Sequence, residues 1–194
     1  TPMLQWVTPD DQTFALTCGP ARFAREGEGM LCLYYLQQIG TMTTFSVIQL
    51  DGKKVLFIGG LQGPGSEISA DVIRQATRAS YGVFPKRLLM DVIFWLAEAG
   101  KIEGIQAVSE HSHVFRSLRY RYSKQDKFFA SYSEFWESLG GRQNSHGNYD
   151  LPLTVIRKPL EEVASKKRAE YRRRYQLLNE LHQQFNDALE ITCK

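Results

Sequence analysis

The chain has 194 residues, 43% of them hydrophobic, and its formal net charge at neutral pH is only +3. That length and hydrophobic content suffice for one domain with a buried core. The small net charge argues against a protein that coats nucleic acid through charge alone. No run of about 18 apolar residues and no secretory signal pattern is visible, so we expect a protein without a membrane span.

Two segments carry an uneven share of the positive charge. Residues 115–127 contain five Lys or Arg and one Asp, and residues 157–174 contain eight Lys or Arg and three Glu. The rest of the chain is therefore mildly acidic. Local basic segments on an acidic body favour an anionic ligand or surface as the partner.

The cysteines and the first residue bear on where the protein works. The three cysteines form no C-x-x-C pair, which favours a reducing compartment, while a bridge between Cys18 and Cys32 stays open as an alternative. The first residue is Thr rather than Met. We therefore expect a further N-terminal segment in the whole protein.

The first half of the chain predicts antiparallel strands. Three stretches are rich in β-branched, aromatic and aliphatic residues, namely 29–36, 41–50 and 55–61. The turn sequence D-G-K-K at residues 51–54 separates the last two, as an antiparallel hairpin requires. Residues 13–17 predict an additional edge strand.

Beyond residue 61 helices and strands alternate. Residues 68–79 predict a short helix, and Pro85 opens a longer one that Gly100 closes. A strand over 102–108 follows, and this crossover implies parallel pairing. The remaining predicted elements are a helix over 124–139, a last strand over 151–156 and helix from about residue 159 onward. Apolar residues of the C-terminal helix recur every three or four positions between Tyr171 and Leu189, which predicts one buried face.

These elements predict a mixed α/β fold of the α+β type, with a mostly antiparallel sheet and one parallel crossover. We expect a mixed α/β domain over residues 1–158 and a C-terminal helix over 159–194 that packs on the same domain. The order of elements is similar to that of the acetyltransferase superfamily, which uses acyl-CoA. This similarity concerns element order alone.

The glycine-rich stretch at residues 59–67 lies where a strand ends and a helix begins. Backbone N–H groups at such a turn can hold a phosphate, and acyl-CoA is the cofactor that this site would take. The candidate cofactor-binding residues are Gln62, Gly63, Gly65 and Ser66. The alternative is a tight turn in which Ser66 is the helix N-cap, and the charge of Glu67, which would oppose a pyrophosphate, favours that alternative.

The sequence S-E-H-S-H at residues 109–113 follows the predicted parallel strand, at the end where open α/β sheets bind ligands. His111 or His113 is a candidate general base toward an amine or hydroxyl acceptor. An H-x-H pair also suits a metal ion, but no third ligand has a supporting spacing, so we predict no metal site. The alternative is a structural polar cap on the strand.

Two basic clusters form a candidate anion-binding surface. The first interleaves Arg with Tyr over residues 116–122, a composition suited to phosphorylated headgroups or to single-stranded nucleic acid. The second opens the C-terminal helix, where positive charge opposes the helix dipole. The candidate residues are Arg116, Arg119, Arg121, Lys166, Lys167, Arg168 and Arg172. For both clusters the alternative is a solvated surface without a partner.

Six motifs resemble, in order, the VirK/YbjX family of bacteria. They are G-G-L-Q-G-P at 59–64, R-L-L-M at 87–90, A-V-S-E-H-S-H-V-F at 107–115, S-Y-S-E-F-W-E-S-L-G-G at 131–141, L-P-L at 151–153 and the basic stretch at 165–178. The resemblance implies a protein of Gram-negative bacteria linked to virulence and envelope integrity, including resistance to cationic antimicrobial peptides. It implies no settled enzymatic activity. The family has Asn where Glu110 stands, which argues against a catalytic role for Glu110.

Two functions of different classes follow. The first is an envelope-homeostasis factor in the cytoplasm, peripheral at the inner membrane, whose basic clusters bind anionic lipid or a phosphorylated small-molecule precursor. The second is an acyl- or aminoacyl-transferase that takes a CoA-like or tRNA-like donor at residues 59–67 and deprotonates its acceptor with His111 or His113. Nucleic acid enters only as that tRNA-like donor.

Overall fold

A computed structural model describes residues 2–22, 24–64, 68–110 and 132–192. Its strands are β1 (Leu4–Val7), β2 (Thr13–Pro20), β3 (Gly29–Tyr35), β4 (Gln38–Leu50), β5 (Lys53–Gln62), β6 (Gly104–Ala107), β7 (Arg142–Gln143) and β8 (Tyr149–Leu151). Its α-helices are α1 (Ala70–Ala79), α2 (Pro85–Ala99), α3 (Tyr132–Ser138) and α4 (Arg168–Thr192). Two short 3-10 helices, Leu160–Glu162 and Ser165–Lys167, precede α4.

The strands form one eight-stranded sheet in the order β1-β2-β3-β4-β5-β6-β8-β7. Every neighbouring pair is antiparallel except β5 and β6, where Val55 lies opposite Gly104 in a parallel register. The predicted mostly antiparallel sheet with one parallel crossover is therefore confirmed. The likeness of the element order to the acetyltransferase superfamily stays a prediction.

The β4–β5 hairpin has the tight turn that the sequence predicts. Asp51 and Gly52 join the strands, and both have positive φ angles, of 51° and 75°. Two consecutive residues with positive φ are the mark of a type I′ turn, whose twist matches that of the flanking strands. Asp-Gly is a sequence that adopts this turn readily, so the register of the longest hairpin is determined locally.

Helix α2 covers one face of the sheet and begins and ends where its sequence predicts. Pro85 occupies the first turn and Gly100 is the C-cap. Eight of its side chains are buried, and they pack against β3 and β4 in the main core. A helix apolar on most of its sides is stable only when both the sheet and a further layer cover it.

That further layer is α4, which packs against α2 and β1. Leu178, Leu181 and Phe185 are buried, and Phe185 is completely inaccessible to solvent. The predicted apolar face of the C-terminal helix and its docking on the sheet domain are confirmed. The predicted start is wrong, because two separate 3-10 helices, Leu160–Glu162 and Ser165–Lys167, precede the α-helix, which begins only at Arg168. Among the described residues, no helix is long and apolar enough to cross a membrane.

Three strand predictions need correction. The predicted edge strand at residues 13–17 is β2, an inner strand, because β1 pairs with it from the outside. The last strand ends at Leu151 instead of continuing to Ile156, since Pro152 has no N–H for a further ladder bond. Strands β1 and β7 were not predicted at all. Cys18 and Cys32 are both free thiols.

Helix α3 is the described part of the helix predicted over residues 124–139, and residues 111–131 lie outside the described part of the chain. Its C-terminal end is as predicted, because Gly140 has a positive φ of 84° and the Gly141 N–H donates to the Trp136 carbonyl at 2.8 Å. Such a glycine end satisfies carbonyls of the last turn that have no partner within the helix.

Candidate functional site

The end of β5 is the first place where the sequence predicts a site. Gln62 is the last residue of β5, and Gly63 follows it with Lys86 close by. A Cβ built on Gly63 would lie 3.5 Å from Lys86 Cε and 3.9 Å from Nζ. Burial lowers the pKa of Lys86. An ammonium group beside a glycine backbone suits a phosphate, although Gly65 and Ser66, the other two candidates here, lie outside the described residues.

The neighbouring glycines, Gly59 and Gly60, have an internal role. A Cβ on Gly59 would lie 1.7 Å from the carbonyl oxygen of Glu26, and one on Gly60 would lie 2.3 Å from Glu26 Oε2. These two positions therefore have to be glycine because the chain itself crosses them closely. Ser66 is not the N-cap of α1: Ser69 is, and its Oγ accepts from the Val72 N–H at 3.3 Å.

Glu26 is a buried carboxyl group next to this strand end. Thr44 Oγ1 donates to Glu26 Oε2 at 3.1 Å. Burial raises the pKa of Glu26, and hydrogen bonds from the Thr44 and Gln62 side chains oppose the rise. Tyr132 lies nearby, with its hydroxyl bonded to both the N–H and the C=O of Leu61. No sequence motif includes Glu26, so its place beside Gln62 emerges only from the fold.

The histidine segment is described only at its beginning. Glu110 accepts hydrogen bonds from the N–H and the hydroxyl of Ser133, in the first turn of α3. A carboxylate at a helix N-terminus is stabilised by the helix dipole, which gives Glu110 a structural role. His111 and His113 lie outside the described residues, as do Arg116, Arg119 and Arg121 of the first basic cluster.

The second basic cluster lies at the start of α4, and its members differ in their surroundings. Lys166, Lys167 and Arg172 are exposed. Arg168 instead donates from Nε to the Val163 carbonyl at 3.0 Å and from Nη2 to the Glu161 carbonyl at 3.3 Å. The guanidinium of Arg168 therefore fastens the 3-10 segment to α4, while the other three cations face solvent.

A groove that no motif predicted lies between α2 and α4. We call it the α2–α4 groove: a cavity of about 720 Å³ between α2 and α4, closed at one side by α3 and by residues 154–158. Its apolar lining includes Val83, Phe94, Trp95 and Leu178, all buried. A volume of this size is typical of sites that take a small organic molecule.

Basic side chains from three segments line the same groove. One of them is Arg174 of α4, which donates from Nε to the Tyr81 carbonyl at 2.9 Å and from Nη2 to Glu170 Oε1 at 3.2 Å. Lys86 and Arg87 come from the first turn of α2, and Arg157 and Lys158 come from the segment after β8. Arg157 Nη1 donates to Asn179 Oδ1 at 2.7 Å, and its guanidinium carbon lies 5.2 Å from the centre of the Tyr175 ring. These contacts hold Arg157 at the groove and leave its other donors available to a ligand.

One acidic side chain lies between these cations. Burial raises the pKa of Asp91 to about 6, although Arg87 and Arg157 both act to lower it. Desolvation therefore outweighs the two neighbouring positive charges. At neutral pH the Asp91 carboxylate among these cations is therefore destabilised by its desolvation.

The wall of the α2–α4 groove nearest the C-terminal half of α4 is formed by the rings of Trp95 and His182. The rings of Trp95 and His182 stack with centroids 4.7 Å apart and an angle of 6° between their planes. His182 Nε2 lies 3.7 Å from Glu98 Oε2. Because the helices that carry Trp95 and His182 are far apart in sequence, no local pattern could have revealed this wall. Pro152 and Pro159, which bracket the irregular segment, are the one sequence signal that could have pointed to residues 154–158.

The chain belongs to the family described as "Protein of unknown function (DUF535)", which it matches over residues 2–187. It is 48% identical over 141 residues to an uncharacterized protein of Escherichia coli, YbjX, an alignment that covers 73% of this chain and 42% of that protein. It is 36% identical over 128 residues to an uncharacterized protein of Haemophilus influenzae, covering 65% of this chain and 41% of that one. The resemblance to the VirK/YbjX family is confirmed. The chain spans less than half the length of these curated relatives.

Proposed function

We propose that this protein is an envelope-homeostasis factor of Gram-negative bacteria that binds an anionic lipid, or a phosphorylated lipid precursor, in the α2–α4 groove. The observation that carries the proposal is one cavity with a buried apolar lining and basic residues from three segments. The envelope role, the link to virulence and the resistance to cationic antimicrobial peptides come from the family resemblance. The working place is the cytoplasm, peripherally at the inner membrane.

The size of the groove supports one acyl chain with its headgroup. A methylene group takes up about 30 Å³, which is close to the volume of one water molecule in the liquid. A cavity of about 720 Å³ thus accommodates one lipid chain together with a small phosphate-bearing headgroup. The second chain of a diacyl lipid would have to stay outside the groove. The expected occupant is therefore a single-chain anionic amphiphile or one chain of a membrane lipid.

The basic start of α4 has a supporting role in the proposal. Tyr171 and Tyr175, in the first turns of the same helix, line the groove, and Lys166, Lys167 and Arg172 lie exposed at this end of α4. We propose that these cations, together with Arg168 and with Arg116, Arg119 and Arg121, raise the local concentration of anionic ligand. Such long-range attraction weakens as salt shortens the Debye length.

The test is calorimetric binding of lysophosphatidylglycerol below its micelle concentration, with lysophosphatidylcholine of the same chain length as the zwitterionic comparison. The double variant Arg87→Gln/Arg157→Gln should bind at least tenfold more weakly, because a hydrogen bond to a charged group contributes about 1.5–3 kcal/mol. Arg142→Gln, an exposed arginine outside the groove lining, is the matched control. Equal affinity for both lipids, or unchanged binding by the double variant, would contradict the proposal.

The buried carboxyl of Glu26 supports a second candidate, an acyl- or aminoacyl-transferase. A raised pKa is what a general base working near neutral pH requires, and Glu26 lies beside Gln62 at the proposed donor turn. The chain's own groups that would hold a CoA-like phosphate are the Gly63 backbone and the Lys86 ammonium. Gly65 and Ser66 keep their proposed donor-binding roles in this reading, and the general base is His111 or His113, with Glu26 as the alternative.

The effect of Gly63→Val on calorimetric acyl-CoA binding separates this candidate from the first, because acyl-CoA is itself a single-chain anionic amphiphile and Gly63 is not among the described residues that line the groove. Gly63→Val should abolish acyl-CoA binding and keep the fold, because there is ordinary contact space for a Cβ at Gly63. His113→Ala should remove transfer activity with little change in melting temperature. If the wild type does not bind acyl-CoA, or if Gly63→Val binds it equally well, the transferase proposal fails.

A further inference from the structure

We infer that the mouth of the α2–α4 groove is a membrane-contact surface, in which Phe84 and Ile156 enter the headgroup region of an anionic bilayer while the adjacent cations meet its phosphates. The inference rests on the proposed function, since it supplies the route by which a lipid chain reaches the groove. It assigns the contact to different residues from the two basic clusters that the sequence singled out.

Two large apolar side chains at the groove are left in solvent. Phe84 is 63% exposed and Ile156 is 92% exposed, and both line the groove. Phe84 is also the N-cap residue of α2, a position that favours Ser, Thr, Asp or Asn, and it makes no capping hydrogen bond. Neither the core nor the helix start therefore accounts for a phenylalanine at this position.

Positive charge flanks each of these apolar residues. Lys86 and Arg87 follow Phe84 closely, and Arg157 and Lys158 follow Ile156 directly. All four cations line the groove. The first turn of α2 contains no acidic residue, so its two cations lie where the helix dipole disfavours them. An apolar residue with adjacent Lys and Arg is the composition of surfaces that bind in the plane of an anionic membrane.

The charge pattern favours a bilayer over a second copy of this chain. A twofold dimer through this face would bring the same patch of each subunit together. The four cations of one copy would then approach those of the other, with Asp91 and Glu98 as the acidic residues of the groove lining to offset them. An anionic lipid surface instead offers negative charge to all four cations and an apolar interior to Phe84 and Ile156.

The experiment is vesicle flotation with the whole chain, using vesicles of phosphatidylethanolamine with phosphatidylglycerol against vesicles of phosphatidylcholine alone. The variant Phe84→Ser/Ile156→Ser should partition onto the anionic vesicles at least fivefold more weakly than the wild type. Serine at residue 84 is a favourable N-cap, so α2 should remain intact. The matched control is Val47→Ser/Ile48→Ser, which removes another exposed apolar pair, 45% and 38% exposed, from β4.

The expected pattern is flotation of the wild type and of the control variant to within twofold of each other, weakened by salt and absent with phosphatidylcholine. Binding of free lysophosphatidylglycerol by Phe84→Ser/Ile156→Ser should stay within twofold of wild type. The inference is overturned if that variant floats with the vesicles as the wild type does. It is also overturned if the variant loses as much affinity for free lysophosphatidylglycerol as it loses for vesicles. If the wild type binds lysophosphatidylglycerol but no vesicles, the inferred membrane-contact surface is wrong while the proposed function stands. If it binds neither, both fail.

Discussion

Replacing Asp91 by Asn should stabilise the fold at neutral pH, although it removes a carboxylate that lies near two arginines. Burial raises the pKa of Asp91 from 3.8 to about 6 despite Arg87 and Arg157. The ionised form is therefore less favourable in the folded state than in the unfolded chain. An amide of the same size avoids that desolvation cost at every pH.

The magnitude and the pH window follow from the two pKa values. Below about pH 4 Asp91 is protonated in both the folded and the unfolded state. The wild type and Asp91→Asn should then have similar free energies of unfolding. Between about pH 4 and pH 6 the folded state holds more protons than the unfolded state, and the free energy of unfolding of the wild type falls as pH rises. Above pH 6 the loss in unfolding free energy levels off at about 3 kcal/mol, because the pKa differs by about 2 units between the two states and each unit corresponds to 1.36 kcal/mol.

The assay is urea unfolding of both proteins at one-unit intervals from pH 4 to pH 8, followed by tryptophan fluorescence. The difference in unfolding free energy should grow from near zero to about 3 kcal/mol, equivalent to roughly 6–12 °C in melting temperature for a chain of this size. Asp10→Asn, at an exposed turn, is the control and should change stability by less than about 0.5 kcal/mol. A variant that is less stable than the wild type at pH 8 would refute the reasoning, because the ion pairs would then outweigh desolvation.

The same carboxylate should make ligand binding depend on pH. Lysophosphatidylglycerol has a phosphodiester whose single negative charge does not change between pH 5 and pH 8. Once Asp91 ionises, it repels that charge inside the groove. We expect the wild type to bind this lipid severalfold more tightly at pH 5 than at pH 8, and Asp91→Asn to show a smaller difference between the two pH values. A pH dependence of the same size in the variant would assign the effect to another group of the groove lining, such as His182 or Glu98.

Three further predictions concern the packing that holds the two candidate sites. Gly59→Ala should cost about 3 kcal/mol or more in urea unfolding, since its Cβ would lie 1.7 Å from the Glu26 carbonyl oxygen and both backbones would have to move; a fully stable variant would show that this crossing is loose. Tyr132→Phe should cost about 1–3 kcal/mol, because its hydroxyl is bonded to both backbone groups of Leu61 within the core. Phe185→Ala should lower the free energy of unfolding by about 3–5 kcal/mol, because this side chain of α4 is fully buried against the rest of the domain. A change below about 1 kcal/mol would mean that α4 does not dock.

Features that depend on neighbouring residues were predictable from the sequence. The Asp51–Gly52 turn, the limits of α2 and the buried face of α4 were all predicted correctly, because turn chemistry, capping and helical periodicity act over a few residues. The location of Gln62 and Gly63 at a strand end was also predicted. Their surroundings were not, since Glu26 and Lys86 reach them from other parts of the chain.

The local patterns by themselves determined most of the element types, the single parallel crossover and the docked C-terminal helix, and the family was indicated by the resemblance of six motifs. Only the tertiary structure decided that β1 is the edge strand, that Gly59 and Gly60 accommodate Glu26, and that a groove lies between α2 and α4. The physical reason is that these features are contacts between segments distant in sequence. Arg87 and Arg157 reach one cavity because α4 folds back over α2, and no spacing within either segment encodes that meeting.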